Sequence, residues 1–155
     1  MKSFLFLPDN ILIELRSWAW IAALLARVAV GCAFFLSGGG KLFVKQRREQ
    51  MRETLRAARV PFLEFNVFFV STVEFVCGLL LILGAATSFA CLLLCGVMIV
   101  AIATTAAPSI KTSSPLGWLS EFLYLPEVLY LVILIWLFFS GPGSFSVDVL
   151  CERSH

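Results

Sequence analysis

Arg27, Lys41, Glu74 and Glu127 are the residues of this chain most able to do chemistry, because each lies inside or at the edge of an apolar stretch. A charge at the centre of a bilayer costs about 2.5–3.5 kcal/mol on insertion scales, so such residues face a protein interior and pair with one another. Cations of this kind can hold a carbonyl oxygen or an anion, and carboxyls can move a proton. Spread over three segments, the four define a candidate interior site.

Helical phase groups them. Arg27, Gly31, Gly38 and Lys41 fall at about 0°, 40°, 20° and −40° on a wheel turning about 100° per residue, which is one narrow stripe. Small residues on such a stripe let a neighbouring backbone come close. Glu74 shares its face with Cys77 and Gly78. Counted inward from Trp18 and from Gly84, Arg27 and Glu74 both lie roughly 14 Å deep at about 1.5 Å per residue, so an Arg27–Glu74 ion pair is expected. Glu127 follows Pro126 and falls between the levels of Arg27 and Lys41, with Tyr124 and Tyr130 three residues to either side. The cluster reads first as a structural staple between helices, and otherwise as a ligand pocket or a proton or ion path.

The elements that must position these residues follow from composition. Of 155 residues, 60% are hydrophobic and 14% charged, against about 25% charged in ordinary soluble domains. Apolar stretches run at Trp18–Phe43, Phe62–Leu83 and Thr87–Ala107, with a fourth at Phe122–Phe139 that can begin near Leu119. Each is near the roughly 20 residues that cross about 30 Å of hydrocarbon as a helix. Lipid offers the backbone no partners, so each must be helical. The expected fold is all-α: one integral membrane domain over 1–155, a four-span antiparallel bundle with spans at about 18–43, 62–83, 87–107 and 119–139. A basic connection covers 44–61 and a polar tail 140–155.

Lys2 is followed by too short an apolar run, ended by Pro8-Asp9-Asn10, to read as a signal peptide. A short interfacial helix is expected at Ile11–Ser17 instead. The connection after span one reads as an amphipathic helix, with Val44, Met51, Leu55 and Val60 toward lipid and the arginines toward water. Lys41, Lys45, Arg47, Arg48, Arg52, Arg56, Arg59 and Lys111 fall on one side of the bilayer, against Lys2, Arg16 and Arg153 on the other. The positive-inside rule then places both connections in the cytoplasm and both termini outside.

Several functions are excluded or weak. The charges lack interleaved aromatics, so nucleic acid is not an expected partner. The one histidine is His155, so no interior histidine ligates a haem. Neither a phosphate-binding loop nor a dinucleotide fingerprint is present. Cys32, Cys77, Cys91, Cys95 and Cys151 contain no C-x-x-C pair and read first as small hydrophobes, with no metal site expected. The redox state of Cys77, Cys91 and Cys95 is open.

Three blocks together resemble the DoxX family of small bacterial membrane proteins. The first is Arg27, Gly31, Gly38 and Lys41-Leu42; the second is Glu74, Gly78 and Gly84; the third is Gly141-Pro142-Gly143 with Ser146 and Asp148. The likeness covers about residues 22–148 and departs from the family pattern in the strongly basic connection after Lys41. It implies a four-span protein of the bacterial cytoplasmic (inner) membrane tied to redox systems. The family includes a subunit of thiosulfate:quinone oxidoreductase, members linked to thiol or oxidative-stress complexes, and members that accompany biosynthesis of modified peptides. The leading expectation is an accessory or anchoring subunit for a redox partner, without catalytic activity alone. The alternatives are a quinone-binding subunit of a membrane oxidoreductase, in which quinone is the cofactor, and a small transporter or proton path. A homo-oligomer is left open.

Overall fold

The structure is a computed structural model that describes residues 18–112, 114–141, 143, 146 and 148. The expected interfacial helix at Ile11–Ser17, the N-terminal cations, Pro142, Cys151, Arg153 and His155 lie outside the described residues.

The regular elements among the described residues are all helices, with no strand among them. Helix α1 spans Ala19–Phe43, α2 Lys45–Ala57, α3 Leu63–Leu83 and α4 Thr87–Ala101. Helix α4 continues through a π-helical turn, Ile102–Ala106, into a last turn at Ala107–Ser109. Helices α5 (Pro115–Leu123) and α6 (Pro126–Ser140) follow. Three helices are long and apolar enough to cross a membrane, and α5 with α6 makes a fourth only if that pair, bent by 60°, counts as one span.

Local chemistry explains the breaks. Gly84 takes φ +69°, the left-handed conformation that closes α3, and the Gly84 and Ala85 amides donate back to Leu81 and Leu80. Pro126 cannot donate within a helix and opens α6 at its first position, so the last apolar run bends at Leu125 instead of starting smoothly near Leu119. In an α-helix the Pro108 ring would press on the Thr104 carbonyl, and the π turn widens the backbone at that level.

Helix α1 packs along α3, and α4 packs along α6. Val30, Phe34, Cys77, Leu81, Ala90, Cys91, Leu94, Met98, Leu134 and Leu137 form one core drawn from all four. Within it Leu81, Ala90, Cys91, Leu94 and Leu134 are wholly inaccessible. The outward faces carry Leu25, Leu36, Phe65, Phe68, Ile99, Val132 and Phe139, all more than half exposed. Such a surface is stable only against lipid or a partner.

Candidate functional site

Two glycine contacts set the register of α1 on α3. A Cβ added at Gly38 would lie 2.4 Å from the Phe75 backbone nitrogen and 2.7 Å from the Ser71 carbonyl oxygen. One added at Gly78 would lie 2.4 Å from the Phe35 nitrogen and 2.8 Å from the Gly31 oxygen. Gly31 meets Gly78 in return at 3.0 Å. The stripe on α1 therefore does face α3, at distances that no side chain tolerates. Phe35 stacks on Phe75 at 4.6 Å beside these contacts.

With that register Arg27 and Glu74 cannot meet, and the expected pair is corrected. Helix α1 extends past the α3–α4 turn, so Arg27 comes level with Gly84, ten residues along α3 from Glu74. Ten residues of helix are about 15 Å. A Cβ on Gly84 would strike Arg27 Nη1 at 2.6 Å and Ser146 Cβ at 2.7 Å. Asp148 exerts an electrostatic pull on Arg27 from the same end. Its Oδ1 accepts from the Ala86 amide at 2.7 Å and its Oδ2 from the Thr87 amide at 3.1 Å. The Asp148 amide donates to Gly84 at 3.1 Å. Asp148 thus caps the start of α4 from 61 residues away.

Glu74 is paired with Lys41 instead. Lys41 Nζ donates to Oε1 at 2.8 Å and to Oε2 at 2.6 Å, and Ser37 Oγ donates to Oε2 at 3.1 Å. The Glu74 side chain is only 4% exposed, whereas that of Lys41 retains 23%. Ser37 sits one turn from Lys41 on the same face, and that i, i+4 spacing is the signal by which sequence reasoning could have included it.

This ion pair lies in the wall of a cavity of about 1110 Å³ between α1, α2, α3, α4 and α6. Glu127 and Tyr130 line the cavity from α6, and Phe34 packs on Tyr130 with ring centroids 5.4 Å apart. Thr104 and Thr105 of the π turn line it from α4, each hydroxyl bonded at 2.7 Å to the carbonyl four residues back. Gln46, Arg47, Gln50, Met51, Thr54 and Leu55 of α2 line it as well.

Two arginines secure α2. Arg48 donates to the Lys41 and Leu42 carbonyls at the end of α1, where a cation suits the helix dipole. Arg52 bridges Glu49 and Glu64. The hydrogen bond to Glu64 is the first cause holding its guanidinium above its ordinary value.

Cys77 and Cys91 are buried free thiols, and Cys91 lies within electrostatic reach of Cys77 and Cys95. No cluster of metal-ligating side chains occurs among the described residues. Of the residues expected to act together, the structure joins Lys41 and Glu74, adds Glu127 across the same cavity, and separates Arg27.

A family model described as DoxX matches residues 22–107, more than half of the chain. The chain belongs to the DoxX family. The matched range holds Arg27, Gly31, Gly38, Lys41, Glu74, Gly78 and Gly84, and so both the glycine register and the ion pair of this DoxX-family protein. Glu127 and the closing Gly141, Gly143, Ser146 and Asp148 lie beyond it. No curated relative and no solved structure matches the chain.

Proposed function

We propose that this DoxX-family chain is a subunit of the bacterial cytoplasmic membrane that serves a redox partner by holding a quinone-class molecule in its cavity. In this reading α5 and α6 together form the fourth span of an up-down bundle. Helix α2 and the connection before α5 face the cytoplasm, and the termini face outward.

One observation carries the reading: the Lys41–Glu74–Ser37 group lines a large cavity that is otherwise walled mostly by apolar side chains. Cofactor sites have this build, apolar walls with a few placed polar groups. A quinone ring needs donors for its carbonyl oxygens and a group that moves protons. The remaining N–H of Lys41 and the Tyr130 hydroxyl supply donors, and Glu127 supplies a carboxyl. The sealed core at Leu81, Leu94, Leu134 and Leu137 weighs against a solute path through the bundle.

The test is extraction of the protein purified in mild detergent. A quinone near one per chain, lost in Lys41→Met and in Glu127→Ala while both remain folded, supports the reading. Purified protein without quinone, but with a bound thiol or sulfur protein, would reduce the chain to an anchor.

A further inference from the structure

Part of the cavity wall is made by exposed residues of α3 and α4. Phe69 on α3 and Leu92, Gly96 and Val100 on α4 line the cavity, and all four are also exposed on the outer surface of the helix pair. Phe69 is 48% exposed, Leu92 59% and Val100 57%. A Cβ at Gly96 would meet nothing within 4 Å, so the helix face there borders open space. Helices α3 and α4 are joined by a tight turn at Gly84, so their other ends are free to diverge. We read the exposed lining residues Phe69, Leu92, Gly96 and Val100 as the edges of a gap between the two helices.

Polarity is uneven along the cavity. Lys41, Glu74, Ser37, Gln50 and Glu127 lie on the walls made by α1, α2, α3 and α6. Leu92, Leu93, Gly96 and Val97 make the α4 wall beside the gap. The volume of about 1110 Å³ also exceeds the roughly 300–1,000 Å³ range of sites for whole drug-sized ligands. A ring headgroup alone would leave much of it empty, and an empty apolar void loses dispersion contacts.

We propose that the gap between α3 and α4 is a lateral portal, through which the ligand's long isoprenoid tail lies in the bilayer while its head rests at Lys41 and Glu74. The ligand class is then a membrane-borne quinone with a tail, and not a water-borne ring. The proposal rests on the quinone reading for the head and on the gap alone for the tail.

The experiment compares ubiquinone-10 with its tail-less ring, 2,3-dimethoxy-5-methylbenzoquinone, on protein in phosphatidylethanolamine–phosphatidylglycerol nanodiscs by native mass spectrometry. Gly96→Trp and Leu92→Trp each fill the gap; Leu92 already carries a large exposed side chain, which keeps the second variant foldable. The expected result is that both variants lose about tenfold in ubiquinone-10 binding and leave the ring within about twofold. Unchanged binding of ubiquinone-10 in both variants overturns the portal and spares the quinone reading. So does wild-type protein that binds the ring as well as the tailed molecule. Wild type that binds neither quinone removes the quinone reading, and the retained lipid then decides the portal. One phospholipid held by wild type and lost in both variants supports a portal for another tailed molecule, whereas none held overturns it. A dimer that Gly96→Trp turns into monomer, with no tailed molecule lost, gives the gap to a second copy and overturns the portal.

Discussion

Lys41 Nζ reaches both carboxylate oxygens of Glu74, at 2.6 and 2.8 Å, because Gly31 and Gly78 let their two backbones touch further along the same helix pair. Register comes first and the ion pair follows from it. A helix pair held apart by side chains at those glycines could slide, and the cation and carboxylate would then stand at different levels.

The glycines are accordingly the first place to test. Gly38→Ala and Gly78→Ala each put a methyl group inside contact with a neighbouring backbone, and each should destabilise the protein by about 1–3 kcal/mol, the usual range for overpacking. Gly96→Ala meets open space in the middle of a helix and should not destabilise, with a gain of up to about 1 kcal/mol from helix propensity. Unfolding in detergent, followed by circular dichroism, measures all three. Equal effects at Gly78 and Gly96 would contradict the register.

The ion pair can be separated from the fold by a double-mutant cycle. Removing one partner of a buried pair costs about 3–5 kcal/mol because the other charge is stranded. Lys41 keeps some exposure, so Lys41→Met should cost nearer about 2–3 kcal/mol. Lys41→Met combined with Glu74→Met should recover most of that loss, since a well-packed apolar pair replaces a buried ionic one without a stability penalty. A double variant no better than the single would mean that the site relies on the Glu74–Ser37 contact or on the charges themselves.

Asp148 gives a third prediction. Its carboxylate satisfies two amides at the start of α4, so Asp148→Ala should lower stability by about 1 kcal/mol, and up to about 2, as for a lost helix cap. The loss should appear as faster amide exchange at Ala86 and Thr87. Unchanged exchange there would show that the cap is not formed in the membrane.

The thiols give a fourth. Cys77 and Cys91 are almost fully buried, so a maleimide should label them only after unfolding. Replacing Cys77, Cys91 and Cys95 together by alanine should leave quinone binding within about twofold. A disulfide among the three in protein isolated without reductant would contradict their role as small hydrophobes.

How far the chain could be read from its residues varies with the physics involved. The apolar runs announced α1, α3 and α4 because lipid demands both length and helicity, and the stripe of Gly31 and Gly38 announced the face that meets α3. The pairing did not follow, because depth was counted from Trp18 although α1 overhangs the α3–α4 turn. Matching the small residues would have corrected it. Gly31 and Gly38 are seven apart, as are Ser71 and Gly78, and laying one pair antiparallel to the other sets Glu74 level with Phe35, on the turn that holds Ser37, and Arg27 level with Ile82, eight residues from Glu74. The surroundings of α2 were not legible for a different reason. An amphipathic pattern marks the apolar face, but it does not say whether lipid or a protein cavity covers that face. The π turn runs through Ile102-Ala103-Thr104-Thr105-Ala106, whose composition is that of an ordinary span, and only Pro108 downstream hints at it.

The most direct test of the central claim, that Lys41 and Glu74 form a ligand site and not only a staple, is ubiquinone-10 binding to the doubly substituted protein. Wild type and the Lys41→Met, Glu74→Met variant are placed in matched nanodiscs after equal unfolding stability has been verified. The account predicts about one quinone per wild-type chain and at least a roughly tenfold loss of affinity in the double variant, about 1.4 kcal/mol. Equal binding by the two proteins would contradict it and leave the pair as a staple between α1 and α3.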